Sequence, residues 1–292
     1  MRKPIFTGVG TAIITPFRNG EIDYIALGAL IERQISAGVA ALVVGGTTGE
    51  AATLGDTERY ELFKRAAEFT AGRVKLIFGT GTNDTRVAVR HTEAAERIGC
   101  DGVLLVTPYY NRGTSEGIYR HYKAIMDSTP LPAILYNVPS RTGVNLPIHT
   151  IERLADEYGG VSVKEASDSV ERLAALAALG DVTLYAGNDA ATYTVLALGG
   201  AGVISVTSNL YPRDMQNICN LFFTKSFAKS LKKQNKLLPV INSMFLETNP
   251  APIKYALAEL GVSTEEMRLP MYPVSVKTRA AIDAAIEQYE KR

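Results

Sequence analysis

The middle of the chain contains two apolar runs, Lys75-Leu76-Ile77-Phe78-Gly79 and Gly102-Val103-Leu104-Leu105-Val106-Thr107, on either side of a segment of helical period from Thr85 to Ile98. Both runs are rich in Val, Ile, Leu and Phe and lack polar alternation, which is typical of strands that are buried on both faces of a parallel sheet. The order strand, helix, strand with short connections predicts a βαβ unit.

The same unit recurs along the chain in both directions. Helical segments follow the apolar runs, as in Thr57 to Phe69, where apolar and charged residues separate onto two faces. Eight such units predict a (β/α)₈ TIM barrel, a fold of about 250 residues. Six further runs complete the eight: Val9 to Pro16, Ala41 to Gly45, Ala133 to Tyr136, Val161 to Lys164, Val182 to Ala186 and Val203 to Val206.

The C-terminal part of the chain has a different pattern. From about Ala228 to Arg292 it predicts three helices and no strand, so we expect a barrel domain over 1–227 and a C-terminal helical domain over 228–292. The alternative fold is an open doubly wound sheet, which often carries a GxGxxG nucleotide motif. The nearest match, Gly79-Thr80-Gly81-Thr82-Asn83-Asp84, lacks the third glycine.

Composition excludes several classes of function. The chain has 292 residues, 46% of them hydrophobic, and a net charge of +1, which provides no field for attracting nucleic acid or an anionic membrane. No apolar run approaches the roughly 20 residues of a membrane span, and the N-terminus lacks the apolar core of a secretory signal.

Cys100 and Cys219 stand alone, as in a reducing compartment, so a cytoplasmic location is expected. His91, His121 and His149 lie far apart and are predicted on helix surfaces, which argues against a histidine metal site.

Polar residues collect where the predicted strands end, and in a TIM barrel that rim is the catalytic one. Each cluster alone is ordinary turn chemistry or packing, but together they indicate one site. The clusters are Gly45-Gly46-Thr47-Thr48-Gly49-Glu50, Thr107-Pro108-Tyr109-Tyr110-Asn111, Tyr136-Asn137 with Arg141, Lys164, and Gly187-Asn188-Asp189.

Lys164 ends the apolar run Val161-Ser162-Val163-Lys164. A lysine at a buried strand end loses water on several sides, which favours a neutral amine that can attack a carbonyl and form a Schiff base. The alternative is that the side chain extends its amine to the solvent.

The other clusters fit the handling of a keto acid. Backbone N–H groups of the glycine-rich turn and the hydroxyls of Thr47 and Thr48 can bind a carboxylate; alternatively the turn is a plain βα connection that Thr48 caps. Thr47, Tyr110 and Tyr136 could form a chain of hydroxyls that transfers protons. Arg141 can bind a second carboxylate in a bidentate fork, or alternatively an acid at the barrel rim.

Three motifs resemble the dihydrodipicolinate synthase family, which belongs to the pyruvate-dependent class I aldolases. They are Gly46-Thr47-Thr48-Gly49-Glu50, Tyr136-Asn137-Val138-Pro139-Ser140-Arg141-Thr142-Gly143 and Val163-Lys164-Glu165-Ala166. The resemblance runs from about Gly8 through Ile204, and Asn249-Pro250-Ala251-Pro252-Ile253-Lys254 and Arg268-Leu269-Pro270 also fit it.

The resemblance implies an activity and a catalytic set. Lys164 would form an imine with pyruvate, and the derived enamine would attack L-aspartate 4-semialdehyde to give 4-hydroxy-tetrahydrodipicolinate, in the diaminopimelate route to lysine. Tyr136 would be the proton shuttle, linked through Thr47 to Tyr110 of a neighbouring subunit.

The resemblance also implies a binding set and an assembly. Thr48 would hold the pyruvate carboxylate, Arg141 would hold the carboxylate of the semialdehyde, and Gly187 and Ile204 would line the pocket through their backbones. No cofactor is implied, because the protein itself forms the Schiff base. The assembly implied is a homotetramer built as a dimer of dimers.

A pocket that binds the inhibitor L-lysine in some members of the family is altered in this chain. Two polar positions match and four differ, so feedback inhibition is predicted to be weak or absent, although Asp56 could compensate in part. The matching residues are Asn83 and Tyr109, and the differing ones are Ala51, Asp56, Arg59 and Val87.

Two other functions are compatible with the same barrel. N-acetylneuraminate lyase and the 2-keto-3-deoxy sugar acid aldolases use the same lysine, but they tend to lack the threonine pair and the arginine, so Thr47, Thr48 and Arg141 favour the synthase. A non-catalytic relative that binds keto acids is the other alternative, and the intact lysine, tyrosines and arginine speak against it.

Overall fold

The computed structural model describes residues 3–291. Eight parallel strands close into a barrel in which neighbours along the chain are neighbours in space, and the first strand also pairs with the last. This confirms the predicted (β/α)₈ fold. The barrel strands are β1 (Gly8–Ala12), β4 (Ala41–Val44), β5 (Lys75–Gly79), β6 (Gly102–Val106), β7 (Ala133–Asn137), β8 (Val161–Glu165), β9 (Val182–Ala186) and β10 (Gly202–Ser205).

Helices surround the barrel and continue beyond it. The helices that follow the barrel strands along the chain are α1 (Tyr24–Ser36), α2 (Asp56–Thr70), α3 (Thr85–Ile98), α4 (Ser115–Met126), α5 (Pro139–Thr142), α6 (Ile148–Tyr158), α7 (Val170–Ala177), α8 (Thr192–Ala197) and α9 (Pro212–Phe223). The three predicted C-terminal helices are present as α10 (Phe227–Ser243), α11 (Ala251–Glu259) and α12 (Val276–Glu290). None of the helices within residues 3–291 is long and apolar enough to cross a membrane.

Alternate residues of each strand enter two different cores. Val43, Ile77, Leu104 and Ile134 pack together in a small cluster that fills the barrel. Their neighbours Leu42, Leu76, Val103 and Leu135 join the large cluster formed with the surrounding helices. Burial on both faces explains why the strands read as continuous apolar runs.

The structure adds a hairpin that the sequence interpretation missed. The first strand was predicted as Val9 to Pro16 but ends at Ala12, and β2 (Phe17–Arg18) then pairs antiparallel with β3 (Glu21–Ile22). Asn19 and Gly20 both have positive φ, 54° and 84°, which is the backbone of a type I′ hairpin turn. The Asn-Gly pair was the available sequence signal.

The predicted surface positions of two histidines are wrong. His91 and His121 are buried, while His149 is exposed. His91 lies on the same face of α3 as Ala88 and Ala95, and His121 on the same face of α4 as Ile118 and Ile125. Spacings of three and four residues along the apolar face of a helix explain both positions.

The C-terminal extension, residues 228–291, makes specific contacts with the barrel through a helix and a loop. Gln234 Nε2 donates to Asp189 O at 3.1 Å, and Asn249 Nδ2 donates to Thr48 Oγ1 at 2.9 Å. The second contact joins residues 201 positions apart. The domain boundary at 227/228 stays a prediction, but residues on both sides of it contribute to the rim where the barrel strands end.

Candidate active site

Lys164 lies on β8 with its side chain inside the barrel. It is 5% exposed, and its Nζ lies 4.1 Å from the centroid of the Tyr136 ring. The two residues are direct partners in the pairing of β7 with β8, so the register of two parallel strands brings them together. None of the ion pairs formed within residues 3–291 includes Lys164. The alternative that this lysine extends its amine to the solvent is therefore wrong.

A buried network of hydrogen bonds lies next to Lys164 and Tyr136, at the ends of β8 and β7. Glu165 follows Lys164, and its carboxylate accepts hydrogen bonds from Asn137 Nδ2 at 2.7 Å, Ser167 N at 2.9 Å and Arg172 Nε at 2.8 Å. Asn137 follows Tyr136 and pairs with Glu165 across the strands. Because every one of these groups has a partner, the network holds the backbones of Tyr136 and Lys164 in one arrangement.

A cavity of about 430 Å³ lies at the end of β7, where Tyr136 lines it, while Lys164 is not among the described residues that line it. Thr47, Tyr136, Arg141 and Asn249 line one part of it, so strand ends and the C-terminal extension enclose it together. A second part, lined by Asp56, Arg59, His91 and Tyr109, is continuous with the first.

Thr48 and Arg141 are both held by Asn249. Thr48 is buried and accepts its hydrogen bond from the Asn249 side chain, while Arg141 Nη2 donates to the Asn249 backbone carbonyl at 2.9 Å. Thr48 does not cap a helix, since α2 begins at Asp56 with Gly55 as its N-cap. No ion pair within residues 3–291 includes Arg141, so its guanidinium is not taken up by a rim acid there. Asn249 is the residue of this site that sequence reasoning missed.

Tyr110 lies apart from the other site residues within a single chain. Its side chain is 92% exposed, and its φ of 67° is unusual for a residue other than glycine. Among the described residues that line the cavity, Tyr109 is present and Tyr110 is not. The chain of hydroxyls from Tyr136 through Thr47 to Tyr110 is therefore not assembled within one chain.

Gly187 and Ile204 are not among the described residues that line the cavity. Gly187 N donates to Glu165 O at 2.7 Å, and a Cβ at this position would lie 2.7 Å from the Cβ of Ala166, so the close approach of β9 to β8 requires glycine. Ile204 is buried in the barrel interior opposite Gly10.

In the Gly187-Asn188-Asp189 cluster, the carboxylate of Asp189 is hydrogen-bonded to Thr207. It is fully buried and accepts from Thr207 N at 2.8 Å and Thr207 Oγ1 at 2.7 Å. Burial raises the pKa of its carboxyl, while the bonds from Thr207 act in the opposite sense. This residue therefore joins the end of β9 to the turn after β10.

The second part of the cavity is lined by groups that already have partners. His91 Nε2 and Asp56 Oδ1 are 2.9 Å apart, and this contact lowers the pKa of Asp56. Arg59 donates to Gly79 O at 3.2 Å and to Ala51 O at 2.6 Å. Asn83 Nδ2 donates to Tyr109 O at 3.2 Å. Val87 is partly buried on α3 and is not among the described residues that line the cavity.

No group of three or more His, Cys, Asp or Glu side chains within residues 3–291 has the arrangement of a metal site. The chemistry available at the rim is that of a buried amine beside a phenol, with hydroxyls and a guanidinium nearby. This set suits the activation of a carbonyl compound that carries carboxylates.

The chain is similar to proteins of one family over nearly its whole length. The sequence model of the dihydrodipicolinate synthetase family matches residues 5–289. A 4-hydroxy-tetrahydrodipicolinate synthase from Thermotoga neapolitana is 45% identical over 280 residues, which is 94% of this chain and 95% of the relative. A protein of the same name from Clostridium novyi is 42% identical over 289 residues and 98% of each chain.

Solved structures agree with the sequence relatives. The crystal structure of a dihydrodipicolinate synthase from Thermotoga maritima has a TM-score of 0.96 at 41% identity and covers 98% of this chain and 99% of that one. A monomeric dihydrodipicolinate synthase variant has a TM-score of 0.95, also at 41% identity, and covers 98% and 97% of the two chains. The family model over residues 5–289, together with relatives more than 40% identical over nearly the whole chain, shows that this chain belongs to the dihydrodipicolinate synthetase family.

Proposed function

We propose that the protein condenses pyruvate with L-aspartate 4-semialdehyde and releases 4-hydroxy-tetrahydrodipicolinate, with Lys164 as the Schiff-base residue. The observation that carries this proposal is the buried amine of Lys164 against the ring of Tyr136, at the rim where catalytic residues of TIM barrels lie.

The chemistry needs one nucleophile and one route for protons. The Lys164 amine attacks C2 of pyruvate, and loss of water gives the imine. Loss of a proton from C3 gives an enamine, whose C3 bonds to the aldehyde carbon while the aldehyde oxygen takes up a proton. The amine of the second substrate then attacks the imine carbon, displaces Lys164 and closes the ring.

Tyr136 is the proposed proton shuttle, because its ring contacts the Lys164 amine and its side chain lines the cavity beside Thr47. Tyr110 is proposed to complete the hydroxyl chain from a neighbouring subunit. Its high exposure and its unusual backbone support this, since an exposed tyrosine that gains a partner's pocket loses contact with water.

The two carboxylates of the substrates are assigned to different side chains. Thr48 accepts from Asn249, which leaves its hydroxyl hydrogen to donate to the pyruvate carboxylate. Arg141 uses one hydrogen bond for Asn249 O and keeps further N–H groups for the carboxylate of the semialdehyde. Gly187 and Ile204 are proposed to shape the floor of the pocket through their backbones.

We also propose that the protein is a homotetramer, a dimer of dimers, in the cytoplasm, with a catalytic barrel over 1–227 and a helical domain over 228–292. The unpaired state of Cys100 and Cys219 fits a reducing compartment. The altered inhibitor pocket is proposed to bind L-lysine weakly, because Val87 supplies no carboxylate and Asp56 is already bonded to His91.

A coupled assay tests the proposed function directly. Purified protein is supplied with pyruvate and L-aspartate 4-semialdehyde, and in parallel with N-acetylneuraminate and with a 2-keto-3-deoxy sugar acid. Condensation without cleavage of either sugar acid is expected. Cleavage of a sugar acid with no condensation would assign the chain to one of the aldolase alternatives, and no turnover with any substrate would support a non-catalytic keto-acid binder.

A further inference from the structure

Lys254 is a lysine that the proposed reaction does not use, and it is completely buried. Its side chain on α11 has no exposed surface, forms an ion pair with Glu50, donates to Glu266 O at 2.8 Å and lies 4.4 Å from the centroid of the Phe17 ring. Burial lowers the pKa of the Lys254 ammonium, and the charge of Glu50 acts in the opposite sense. Removing one partner of a buried ion pair leaves the other charge buried and uncompensated.

Glu50 ends the turn that carries Thr47 and Thr48. Its backbone N–H donates to Thr47 O at 3.1 Å, and its φ of 54° lies in the left-handed region, which is rare for residues other than glycine. Its side chain is almost completely buried, yet the residue lines the same cavity as Thr47 and Tyr136. A carboxylate therefore lies two residues from Thr48, where the carboxylate of pyruvate is proposed to bind.

The other charges around Glu50 are compensated elsewhere. Arg268 donates its backbone N–H to Glu50 at 3.2 Å, while its guanidinium binds Glu58 and Gly20 O and attracts Glu50 without forming an ion pair with it. The carboxylate of Glu266 accepts from the backbone N–H groups of Asn19 and Gly20. Within residues 3–291 the only ion pair of Glu50 is the one with Lys254.

We propose that Lys254 is a positioning residue that neutralises Glu50, so that the turn bearing Thr47 and Thr48 can accept an anionic keto acid. The C-terminal extension thereby sets the electrostatic potential of the anion site, in addition to holding Thr48 through Asn249. The inference rests on the proposed function, because it takes the carboxylate of pyruvate as the anion. Without Lys254, the uncompensated carboxylate of Glu50 and the carboxylate of pyruvate would repel each other in poorly hydrated protein, where Coulomb repulsion is strong.

The test uses imine formation with pyruvate alone. Wild-type protein and variants are incubated with increasing pyruvate, reduced with borohydride, and the half-saturating pyruvate concentration is read from the adduct fraction by mass spectrometry. Lys254→Met leaves the Glu50 carboxylate uncompensated and should raise this concentration at least tenfold. Glu50→Gln keeps a hydrogen-bond acceptor for Lys254 without its charge, so the concentration should stay at or below the wild-type value.

The double variant Glu50→Gln/Lys254→Met removes both charges and should return half-saturation to within about threefold of wild type. Lys277→Met, the same change at an exposed position on α12, is the matched control and should have no effect. A buried pair with a purely structural role would instead shift half-saturation in the same direction in both single variants, or change only the melting temperature.

The outcomes separate this inference from the proposed function. If wild-type protein forms no imine with pyruvate, the proposed function fails. If it forms the imine and Lys254→Met has the wild-type half-saturation, or Glu50→Gln raises it more than threefold, the inference is overturned while the proposed function stands. Should Lys254→Met fail to fold, Glu50→Gln and the double variant decide the matter by the same criteria.

Discussion

At the residue scale, the decisive feature is that a buried lysine and a tyrosine are neighbours by strand register. Lys164 and Tyr136 are direct partners on β8 and β7, so their contact follows from backbone pairing and not from flexible side chains. Behind them, Asn137 and Glu165 are bonded to each other at 2.7 Å. A site on paired strands is more rigid than a site on loops.

The Arg141 prediction distinguishes the two substrates. Arg141→Ala should trap pyruvate on Lys164 as wild type does, because the imine forms before the semialdehyde binds. Loss of a charge-assisted hydrogen bond of roughly 1.5–3 kcal/mol should lower kcat/KM for the semialdehyde about ten- to hundredfold. Steady-state kinetics and borohydride trapping measure the two effects separately.

Arg120→Ala is the control for Arg141, since Arg120 is exposed on α4 and pairs only with Glu116 at 2.7 Å among the described residues. It should leave both measurements unchanged. Failure of pyruvate trapping in a folded Arg141→Ala variant would contradict the assigned role.

Sequence alone identified Lys164, Tyr136, Thr47, Thr48 and Arg141 as candidates because each follows a strand with a clear apolar signal. Glu50, Asn249 and Lys254 occur in the quoted motifs, but the sequence alone assigns them no role in the site. Their contacts join positions about 200 residues apart, and an isolated asparagine or an acid after a glycine is ordinary loop chemistry.

At the element scale, the strands can be predicted from the sequence, whereas the buried faces of the helices are predicted only in part. The runs Lys75 to Gly79 and Val182 to Ala186 agree with β5 and β9 at both ends. The first strand is predicted too long, because Ile13 to Pro16 are buried and begin with two isoleucines, yet they lie beyond the end of the strand at Ala12. Hydrophobicity records burial, and burial does not distinguish a strand from a buried loop.

The packing of α4 against α3 predicts a pH dependence of stability. His121 is buried with its Nδ1 2.9 Å from Thr85 Oγ1, and burial lowers its pKa to about 4, below the ordinary value of about 6.5. The unfolded chain therefore takes up a proton that the folded chain does not, so stability falls as the pH drops from about 6.5 to about 4. Between pH 7 and pH 5 this amounts to roughly 2 kcal/mol.

His121→Asn keeps a polar group for Thr85 but does not titrate, so its free energy of unfolding should fall less between pH 7 and pH 5 than that of wild type. Urea unfolding at the two pH values measures this. His149→Asn changes an exposed histidine and should retain the wild-type dependence. An unchanged dependence in His121→Asn would show that this histidine is already protonated in the folded protein.

At the scale of the whole molecule, the proposed site takes Tyr110 from a second subunit. Tyr110 is 92% exposed and lies outside the cavity that Tyr136 and Thr47 line. Mixing inactive Tyr110→Phe subunits with inactive Lys164→Ala subunits should therefore restore activity, because each mixed dimer contains one site with both residues intact. Activity after subunit exchange, with hybrids verified by native mass spectrometry, is the measurement.

Each variant exchanged with itself is the control for that experiment and should stay inactive. Hybrids that form without any recovery would place Tyr110 in the site of its own subunit.

The response to L-lysine is also a property of the whole assembly. Val87 offers no carboxylate to a ligand ammonium, Asp56 is bonded to His91, and Arg59 is bonded to two carbonyl oxygens. Loss of one charge-assisted hydrogen bond lowers affinity about ten- to hundredfold. Lysine at low millimolar concentration should therefore leave the rate nearly unchanged. Clear inhibition below about 1 mM requires an affinity that a pocket without this hydrogen bond should not have, so it would mean that another set of contacts binds lysine.

The central claim is that Lys164 forms the covalent intermediate, and peptide mapping tests it most directly. The protein is incubated with pyruvate, reduced with borohydride, digested and analysed by mass spectrometry, with Lys164→Arg as the matched variant that keeps the charge but cannot form the imine. The expected result is one carboxyethyl adduct, the reduced imine of pyruvate, on the peptide containing Val163-Lys164-Glu165, and none in Lys164→Arg. An adduct on another lysine, or no adduct in wild-type protein, would contradict the account.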